Sequence, residues 1–463
     1  MTNLQLKEIL KAVEAVNFRA GIIESQAINQ VVIDSRNKVI NGLFFAIKGP
    51  NNDGHLFLEE AFANGCQFAI VQYIPKDFLH SEKLILVKDV FLALNQLAIY
   101  NRKKFQGLVI AITGSVGKTS IKEMLGLSLK AVGKTFISQK NFNNHFGVPL
   151  NLCNLDSNAD YAILELGMNH RGEIRPLAEM VMPDIAVISN IGKAHIGNFS
   201  HEEEIALEKS DILFGLRNDG IFIIDGNCKF YDLLQKKSQE FKVKNIISVG
   251  NEIKIKQSQN IDAENSIVKI DYFSTEISYH LPTINDIFIQ NSLFTLAVLK
   301  SLKINNLQKA IKELGSIKPV QGRGDLIKVK IGDQNLQIID DSYNASLSSI
   351  EAAIKYLAKL KKTITKYRTI AFIGDVAELG QESEIEHQKI ATYLIENKID
   401  KVFFVGMRTA KIIDLLPKKV FVRHFKNSDF DFSIIRDFFK DGDIVLFKGS
   451  RVMQMEKIIT KFC

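Results

Sequence analysis

The chain has few cysteines and no apolar run long enough to cross a bilayer. Its 463 residues include only Cys66, Cys153, Cys228 and Cys463, and these are too far apart to form a paired metal-ligand motif. This spacing argues against both a disulfide framework and a zinc site. The N-terminal segment mixes charged and apolar residues and lacks a signal-peptide core. We therefore expect a cytoplasmic protein without a membrane span.

The sequence also lacks internal repeats, low-complexity tracts and long linkers rich in proline, glycine or serine. Its apolar fraction of 46% and charged fraction of 24% are those of an ordinary globular protein, and its length predicts about two to four domains. The net charge of +7 comes from lysines scattered among acidic neighbours. Since no basic block stands out, we expect no nucleic-acid partner, whereas an anionic small substrate suits this charge.

Short apolar runs alternate with helical patterns along the chain, which is typical of an α/β fold with largely parallel sheets. Polar or glycine residues follow these runs, and ligands collect at the carboxyl ends of parallel strands. We expect three units, at 1–83, 84–317 and 318–463, and a polar surface loop at 254–265. The predicted strands are Leu108 to Ile112, Tyr161 to Leu164, Ile185 to Ile188, Ile221 to Ile224, Leu336 to Ile339, Ile370 to Ile373, Val402 to Val405 and Ile444 to Phe447.

A glycine-rich loop lies between the first of these strands and an amphipathic segment. Its sequence, from Gly114 to Ser120, is Gly-Ser-Val-Gly-Lys-Thr-Ser. Glycines allow a close backbone approach to an anion, amides at the helix start point at it, and Lys118 adds positive charge. Ile112 stands where the standard phosphate-binding pattern has a glycine, so the spacing is atypical. A strand, a glycine loop and a helix in this order nevertheless predict a nucleotide phosphate site.

Several polar residues could complete such a site. A bound triphosphate needs a divalent ion with hard oxygen ligands, and Thr119 and Glu165 could supply two. His195, in a loop after the next strand, is either a second metal ligand or a loop cap. Lys209, among acidic residues, is either functional or an ion-paired surface lysine. In the third unit, Lys448-Gly449-Ser450-Arg451 opens a helix and could bind a carboxylate or phosphate.

Longer motifs resemble those of the Mur ligases of peptidoglycan synthesis, and the resemblance covers nearly the whole chain. It is strongest to the branch that adds a dipeptide. The motifs are the glycine loop, Asn143-Asn144-His145-Phe146-Gly147, Glu165-Leu166-Gly167-Met168-Asn169-His170, Asn190 to His195, Gly322-Arg323-Gly324, Asp340-Asp341-Ser342-Tyr343-Asn344, Gly374-Asp375 and Lys448 to Glu456.

This resemblance implies a three-domain ligase: a small N-terminal α/β domain that holds a UDP-sugar, a central P-loop ATPase domain with a mostly parallel sheet, and a C-terminal Rossmann-like domain. It implies ATP and Mg2+ as cofactors. The substrates would be UDP-N-acetylmuramoyl-tripeptide, activated as an acyl phosphate, and D-alanyl-D-alanine, which would displace the phosphate. A monomer is expected.

The family's functional residues match specific positions here. Lys118, His195 and Lys209 would be catalytic, and Thr119, Glu165, His195 and, if carbamylated, Lys209 would hold metal. The resemblance assigns nucleotide binding to Gly114, Ser115, Val116, Gly117, Lys118, Thr119, Ser120, Asn291, Arg323 and Asp341. It assigns substrate binding to Ser35, Arg36, Asn143, Asn144, His145, Asn344, Lys448 and Ser450.

Three alternatives stay open at this stage. One is the related ligase that adds the third amino acid to the same UDP-sugar peptide, although the Asp-Asn-Pro-Arg signature of members adding a diamino acid is absent. Another is a folylpolyglutamate-type ligase, which lacks the first unit. The third is a P-loop protein that binds nucleotide and switches a partner without amide synthesis.

Overall fold

The computed structural model describes residues 4–16, 26–139, 141–363 and 367–462. Four sheets lie in succession along the chain: a two-stranded sheet, a four-stranded one, a nine-stranded one and a six-stranded one. Among the described residues, no helix is both long enough and apolar enough to span a membrane.

The first part of the chain forms the two smaller sheets. The four-stranded sheet has the order β3-β4-β5-β6 and is parallel throughout. Because β6 pairs with β5, it belongs to this sheet, and we propose that the first unit extends a few residues beyond 83. The elements are β1 (Leu4–Gln5), α1 (Leu6–Ala12), β2 (Ala27–Ile28), β3 (Gln30–Val32), β4 (Gly42–Phe45), α2 (Leu58–Ala63), β5 (Cys66–Val71) and β6 (Leu84–Leu86).

The central part forms the nine-stranded sheet. Its elements are α3 (Val90–Lys104), β7 (Leu108–Thr113), α4 (Lys118–Lys130), β8 (Thr135–Ile137), α5 (Gly147–Cys153), β9 (Tyr161–Glu165), α6 (Ile174–Val181), β10 (Ile185–Ile188), α7 (Glu202–Ser210), β11 (Ile221–Asp225), α8 (Tyr231–Glu240), β12 (Asn245–Val249), β13 (Ile253–Asn260), β14 (Ser266–Tyr272), β15 (Thr275–Leu281), α9 (Asp286–Ser301) and α10 (Leu307–Lys312).

The strand order in this sheet is β15-β14-β13-β12-β11-β10-β7-β9-β8. It is parallel from β8 to β13, and β14 and β15 add an antiparallel edge. Strand β7 lies between β9 and β10. The chain therefore adds strands on one side of β7 first and then on its other side. A crevice forms at the carboxyl end of a strand in such a position.

The last part forms the six-stranded sheet, with the order β16-β17-β21-β18-β19-β20, which is parallel except for the β16–β17 hairpin. The elements are β16 (Asp325–Ile331), β17 (Gln334–Asp341), α11 (Leu347–Thr363), β18 (Thr369–Gly374), α12 (Ser383–Glu396), β19 (Lys401–Val405), β20 (Phe421–Phe425), α13 (Ser433–Arg436), β21 (Ile444–Lys448) and α14 (Glu456–Ile459).

Short 3-10 turns complete the described structure. They are Gly54–Phe57, Lys76–Phe78, Ile196–Asn198, Asp211–Phe214, Glu313–Ser316, Gly380–Glu382, Thr409–Leu415 and Arg451–Met453.

The predicted α/β class is confirmed, and each strand predicted from an apolar run is present within two residues at either end. The expected loop at 254–265 is wrong for most of its length. Residues 254–260 belong to β13, which pairs with β14. Its side chains are mostly exposed, so the apolar periodicity that reveals a buried strand is missing there.

A buried arginine ties α3 to the end of α6. Arg102 is fully buried, and its guanidinium donates to the carbonyls of Val181 and Met182, both at 2.6 Å. The last carbonyls of a helix have no intrahelical donor, and a cation there also complements the helix dipole. Burial lowers the pKa of Arg102 to about 10, which leaves the guanidinium charged at neutral pH.

We expect Arg102→Ala to destabilise the protein by about 3 kcal/mol, because it leaves a cavity and strips buried carbonyls of their donors. Urea unfolding measures this loss. Lys103→Ala, at an exposed neighbour on the same helix, is the matched control and should change the free energy of unfolding by less than about 0.5 kcal/mol. Equal losses in both variants would contradict the capping role.

Candidate active site

The glycine loop follows β7 and enters α4 at Lys118. Gly114 has φ +147° and Gly117 has φ +90°, a region that residues with a Cβ rarely adopt. A Cβ on Gly117 would lie 2.5 Å from Oδ1 of Asn291, and one on Gly114 would lie 1.9 Å from Oγ of Ser189. At these two positions the space is therefore too small for any side chain, and only glycine fits. The first N–H groups of α4, which lack intrahelical partners, begin at this loop.

The segment after β10 braces the loop from one side. The backbone N–H of Val116 donates to Oδ1 of Asn190 at 2.8 Å, and the Ser189 hydroxyl donates to the Val116 carbonyl at 2.6 Å. The Ser115 hydroxyl donates to the Gly192 carbonyl and accepts from the Gly192 N–H. The polar residues after two neighbouring parallel strands thus build one rigid cradle.

The side chains of Lys118, Lys209 and Arg323 lie close enough for their charges to interact. Lys118 donates to the Gly114 carbonyl at 2.6 Å. Burial lowers its pKa, Glu165 opposes that change, and the positive charge of Arg323 adds to it. Lys209 is buried at 2% exposure, which rules out the surface-lysine interpretation. Burial and then the charge of Lys118 lower its pKa well below the ordinary value, against the opposing effect of Glu208. Basic side chains held this close together favour a bound anion.

A set of hard oxygen donors lies beside the loop. Glu165, 3% exposed, accepts from the Thr119 hydroxyl and from Nδ2 of Asn143, both at 2.8 Å. A hydroxyl and a buried carboxylate in contact suit Mg2+, which takes few protein ligands together with phosphate oxygens and water. Among the described residues, no group of three histidine, cysteine, aspartate or glutamate side chains could hold a metal by itself. The Thr119 hydroxyl and the Glu165 carboxylate, beside the anion-binding loop, fit an ion that is shared with a bound phosphate.

His195 lies farther along the same edge, with its backbone at φ +64°. Its Nδ1 is 2.5 Å from Oε2 of Glu378, in the segment after β18, and its ring lowers the pKa of that carboxyl. The neighbouring Gly197 N–H donates to the Glu378 carbonyl at 2.7 Å. The two larger sheets are thus joined at this point, and His195 contacts a carboxylate across the junction.

The six-stranded sheet supplies the opposite side. Lys448 is buried, and its Nζ lies 2.7 Å from Oδ2 of Asp341 and 3.1 Å from the Asn344 carbonyl. Burial raises the pKa of Asp341, although Lys448 and Arg323 oppose that change. The Ser450 hydroxyl accepts from the Ala377 N–H at 2.7 Å. Asp341 and Lys448 are the last residues of the adjacent strands β17 and β21, and Asn344 and Ser450 follow those strands. Their side chains therefore gather at one end of the sheet.

A cavity of about 440 Å³ lies between the two sheets. Ser115, Val116, Gly117, Lys118, Ser120, Asn143, Glu165, His195, Asn291, Arg323, Asp341, Asn344, Lys448 and Ser450 line it. Most of the residues predicted for nucleotide, metal and substrate therefore meet in one space. Gly114, Thr119 and Lys209 are buried and are not part of the cavity lining.

Four residues predicted to bind substrate lie outside the cavity lining. The Ser35 hydroxyl donates to the Glu60 carboxylate, and Arg36 is exposed and pairs with Asp34 at 2.7 Å, both within the first unit. The side chain of Asn144 accepts from the N–H groups at the start of α5, and exposed His145 packs beside Phe91 and Phe146. Their substrate roles stay predictions.

Sequence reasoning gave no role to several residues of the cavity wall. Lys193 bridges Glu382 and Glu386 at 2.6 and 2.9 Å, and these hydrogen bonds raise its pKa although burial works against them. Asn141 and Tyr343 contact each other across the junction of the two sheets. Lys193 and Tyr343 both stand in motifs that carry the family resemblance, whereas Asn141 lies in a loop without a distinctive signal.

Comparison with known families matches most of this architecture. Residues 112–299 match the Mur ligase middle domain, and residues 322–451 match the family described as Mur ligase, glutamate ligase domain. The UDP-N-acetylmuramoyl-tripeptide--D-alanyl-D-alanine ligase of Rickettsia prowazekii is 34% identical over 451 residues, which are 96% of this chain and 98% of that relative.

The chain belongs to the Mur ligase family.

Solved Mur ligase structures share the whole fold. A crystal structure of MurF from Acinetobacter baumannii superimposes with a TM-score of 0.85 at 29% identity, and the match covers 100% of this chain and 99% of that one. The MurF ligase of Thermotoga maritima, solved in complex with ADP, matches with a TM-score of 0.78 at 26% identity over 94% of this chain and 97% of that one.

We expect Gly117→Ala to weaken ADP binding by at least about tenfold, because the new methyl would collide with Asn291 inside the cradle. Calorimetric titration with ADP and Mg2+ measures this. Gly332→Ala is the matched control, since Gly332 also has positive φ (+59°) but open space around its Cβ position. Equal ADP affinity in the two variants would show that the close packing of the loop does not matter for the nucleotide.

Proposed function

We propose that this Mur ligase couples ATP cleavage to the joining of D-alanyl-D-alanine to UDP-N-acetylmuramoyl-tripeptide. One observation carries the proposal: an anion-binding loop with Lys118, oxygen donors for a metal, and a polar wall from a second sheet all border one cavity. Ligation needs the three sites together. A nucleotide switch needs only the first, which makes that alternative the weaker one.

The nucleotide's triphosphate would lie along the glycine loop. The N–H groups at the start of α4 and the Lys118 ammonium would bind the β- and γ-phosphates. Thr119 and Glu165 would hold Mg2+, which supplies positive charge at the phosphates. Asn291, packed over the loop, is proposed to contact the nucleoside, and Arg323 and Asp341 to reach the nucleotide from the opposite wall.

The first chemical step brings two anions together, since the tripeptide carboxylate must approach the γ-phosphate. Lys118 and Arg323 would lower the cost of that approach by placing fixed positive charge beside the two anions. A carboxylate oxygen attacks the γ-phosphorus, the bond to the bridging oxygen breaks, and ADP leaves. The product is an acyl phosphate.

In the second step the dipeptide's amine attacks the acyl carbon. The tetrahedral intermediate collapses with loss of inorganic phosphate, and the amine loses a proton. Asn344, Lys448 and Ser450 lie on the wall where the dipeptide is proposed to bind. Lys448 is already paired with Asp341, so it would act mainly by holding that wall in place.

Lys209 is proposed to take part as a carbamate. Its burial favours the neutral amine, which is the form that reacts with CO2, and the carbamate formed, with loss of a proton, would place an anion beside Lys118. His195 is proposed to serve a second metal site, in competition with its present contact to Glu378. Because the reaction consumes ATP, we expect it to take place in the cytoplasm.

A ligase assay tests the function. Phosphate release should require UDP-N-acetylmuramoyl-tripeptide and D-alanyl-D-alanine together, and tripeptides ending in lysine or meso-diaminopimelate, assayed in parallel, identify the third residue. Lys118→Ala should remain folded and lose at least about a hundredfold in kcat, because it removes charge stabilisation at the γ-phosphate. Phosphate release that needs neither substrate, or near-normal turnover of Lys118→Ala, would contradict the proposal.

A further inference from the structure

Tyr343 lies close to two arginines in the cavity wall. The guanidinium carbon of Arg323 is 4.4 Å from the centre of its ring, and that of Arg451 is 5.6 Å away. Tyr343 and both arginines line the cavity. A cation within about 6 Å of an aromatic face is attracted by the ring quadrupole. One ring therefore contacts two cationic groups that border the proposed nucleotide and dipeptide sites.

Arg323 needs such support because its backbone sits in a glycine turn. Gly322 and Gly324 flank it at φ +77° and +85°, and glycine turns have high conformational freedom. The Tyr343 N–H donates to the Gly322 carbonyl at 3.0 Å, and the Gly324 N–H donates to the Asp340 carbonyl at 2.8 Å. The turn is thus fastened to the end of β17, and the Tyr343 ring packs against the guanidinium that the turn presents.

The Tyr343 hydroxyl extends this support to the central part of the chain. Nδ2 of Asn141, in the loop between β8 and α5, donates to that hydroxyl at 2.5 Å, and Oδ1 of the same amide accepts from Arg323 at 3.3 Å. Asn141, Arg323 and Tyr343 therefore form a closed triangle across the junction of the two sheets. Arg323 is also close enough to Lys118 for its charge to act on that ammonium.

We propose that Tyr343 is a positioning residue whose ring orients Arg323 and Arg451 at the cavity and whose hydroxyl, through Asn141, fastens them to the central unit. The inference rests on the proposed function, which gives the nucleotide and the dipeptide as the ligands that the two arginines face. The ring and the hydroxyl have separable tasks: the ring supports affinity for the nucleotide, and the hydroxyl supports the joined arrangement in which chemistry takes place.

Tyr343→Leu and Tyr343→Phe separate these tasks. The leucine variant should weaken binding of a non-hydrolysable ATP analogue with Mg2+ by about tenfold, because it loses the ring contact with Arg323. The phenylalanine variant keeps the ring, so its affinity should stay within about twofold of the parent while kcat falls by at least about threefold. Calorimetry gives the affinities, and phosphate release with both substrates gives kcat and KM.

Tyr279→Phe is the matched control, because it also removes a phenol hydrogen bond, to Ser292 at 2.6 Å, but outside the cavity lining. It should change neither affinity nor kcat. Unchanged analogue affinity in Tyr343→Leu, or equal losses of affinity in both Tyr343 variants, would overturn the role of the ring. Unchanged kcat in Tyr343→Phe would overturn the role of the hydroxyl. If the parent protein bound the analogue but formed no amide, the proposed function would fail while the affinity test of Tyr343 still stood.

Discussion

The accumulation of positive charge at the meeting point of two sheets is the constraint on which the rest of the site depends. Lys118 comes from the central sheet and Arg323 from the turn before the C-terminal sheet, and the charge of Arg323 adds to burial in lowering the pKa of Lys118. Confining such groups costs free energy in the absence of an anion. A bound polyphosphate would neutralise this charge and so relieve the repulsion. The effect is greatest where both sheets contribute a cation.

The fold provides this convergence through strand order. Because β7 lies between β9 and β10, the glycine loop, Glu165 and the Asn190 segment emerge side by side. In the C-terminal sheet β17 and β21 are adjacent and parallel, so Asp341 and Lys448 meet. Contacts such as Lys193 with Glu382 and His195 with Glu378 hold the two strand ends facing each other. The site is therefore complete only where the two sheets are in contact.

The buried strands and the glycine loop could be predicted from the sequence because each depends on a pattern of neighbouring residues. Buried parallel strands are continuous apolar runs, and the glycine loop has a physical requirement that few other residues satisfy. Strand β13 was missed because its exposed, polar side chains carry no such pattern. The contact of Asn141 with Tyr343 joins positions 202 residues apart, and no local signal marks it. The burial of Lys209 was equally hidden, since its acidic neighbours resemble those of a surface lysine.

The central claim is that the cavity's charge brings a carboxylate to the γ-phosphate, and isotope transfer tests it most directly. UDP-N-acetylmuramoyl-tripeptide labelled with 18O in its terminal carboxylate would be converted in the presence of ATP, Mg2+ and D-alanyl-D-alanine. The account predicts that the released inorganic phosphate carries one 18O atom, because a carboxylate oxygen becomes part of the acyl phosphate and leaves with it. Phosphate free of 18O would contradict the account, since it would mean that water, and not the carboxylate, attacks the nucleotide.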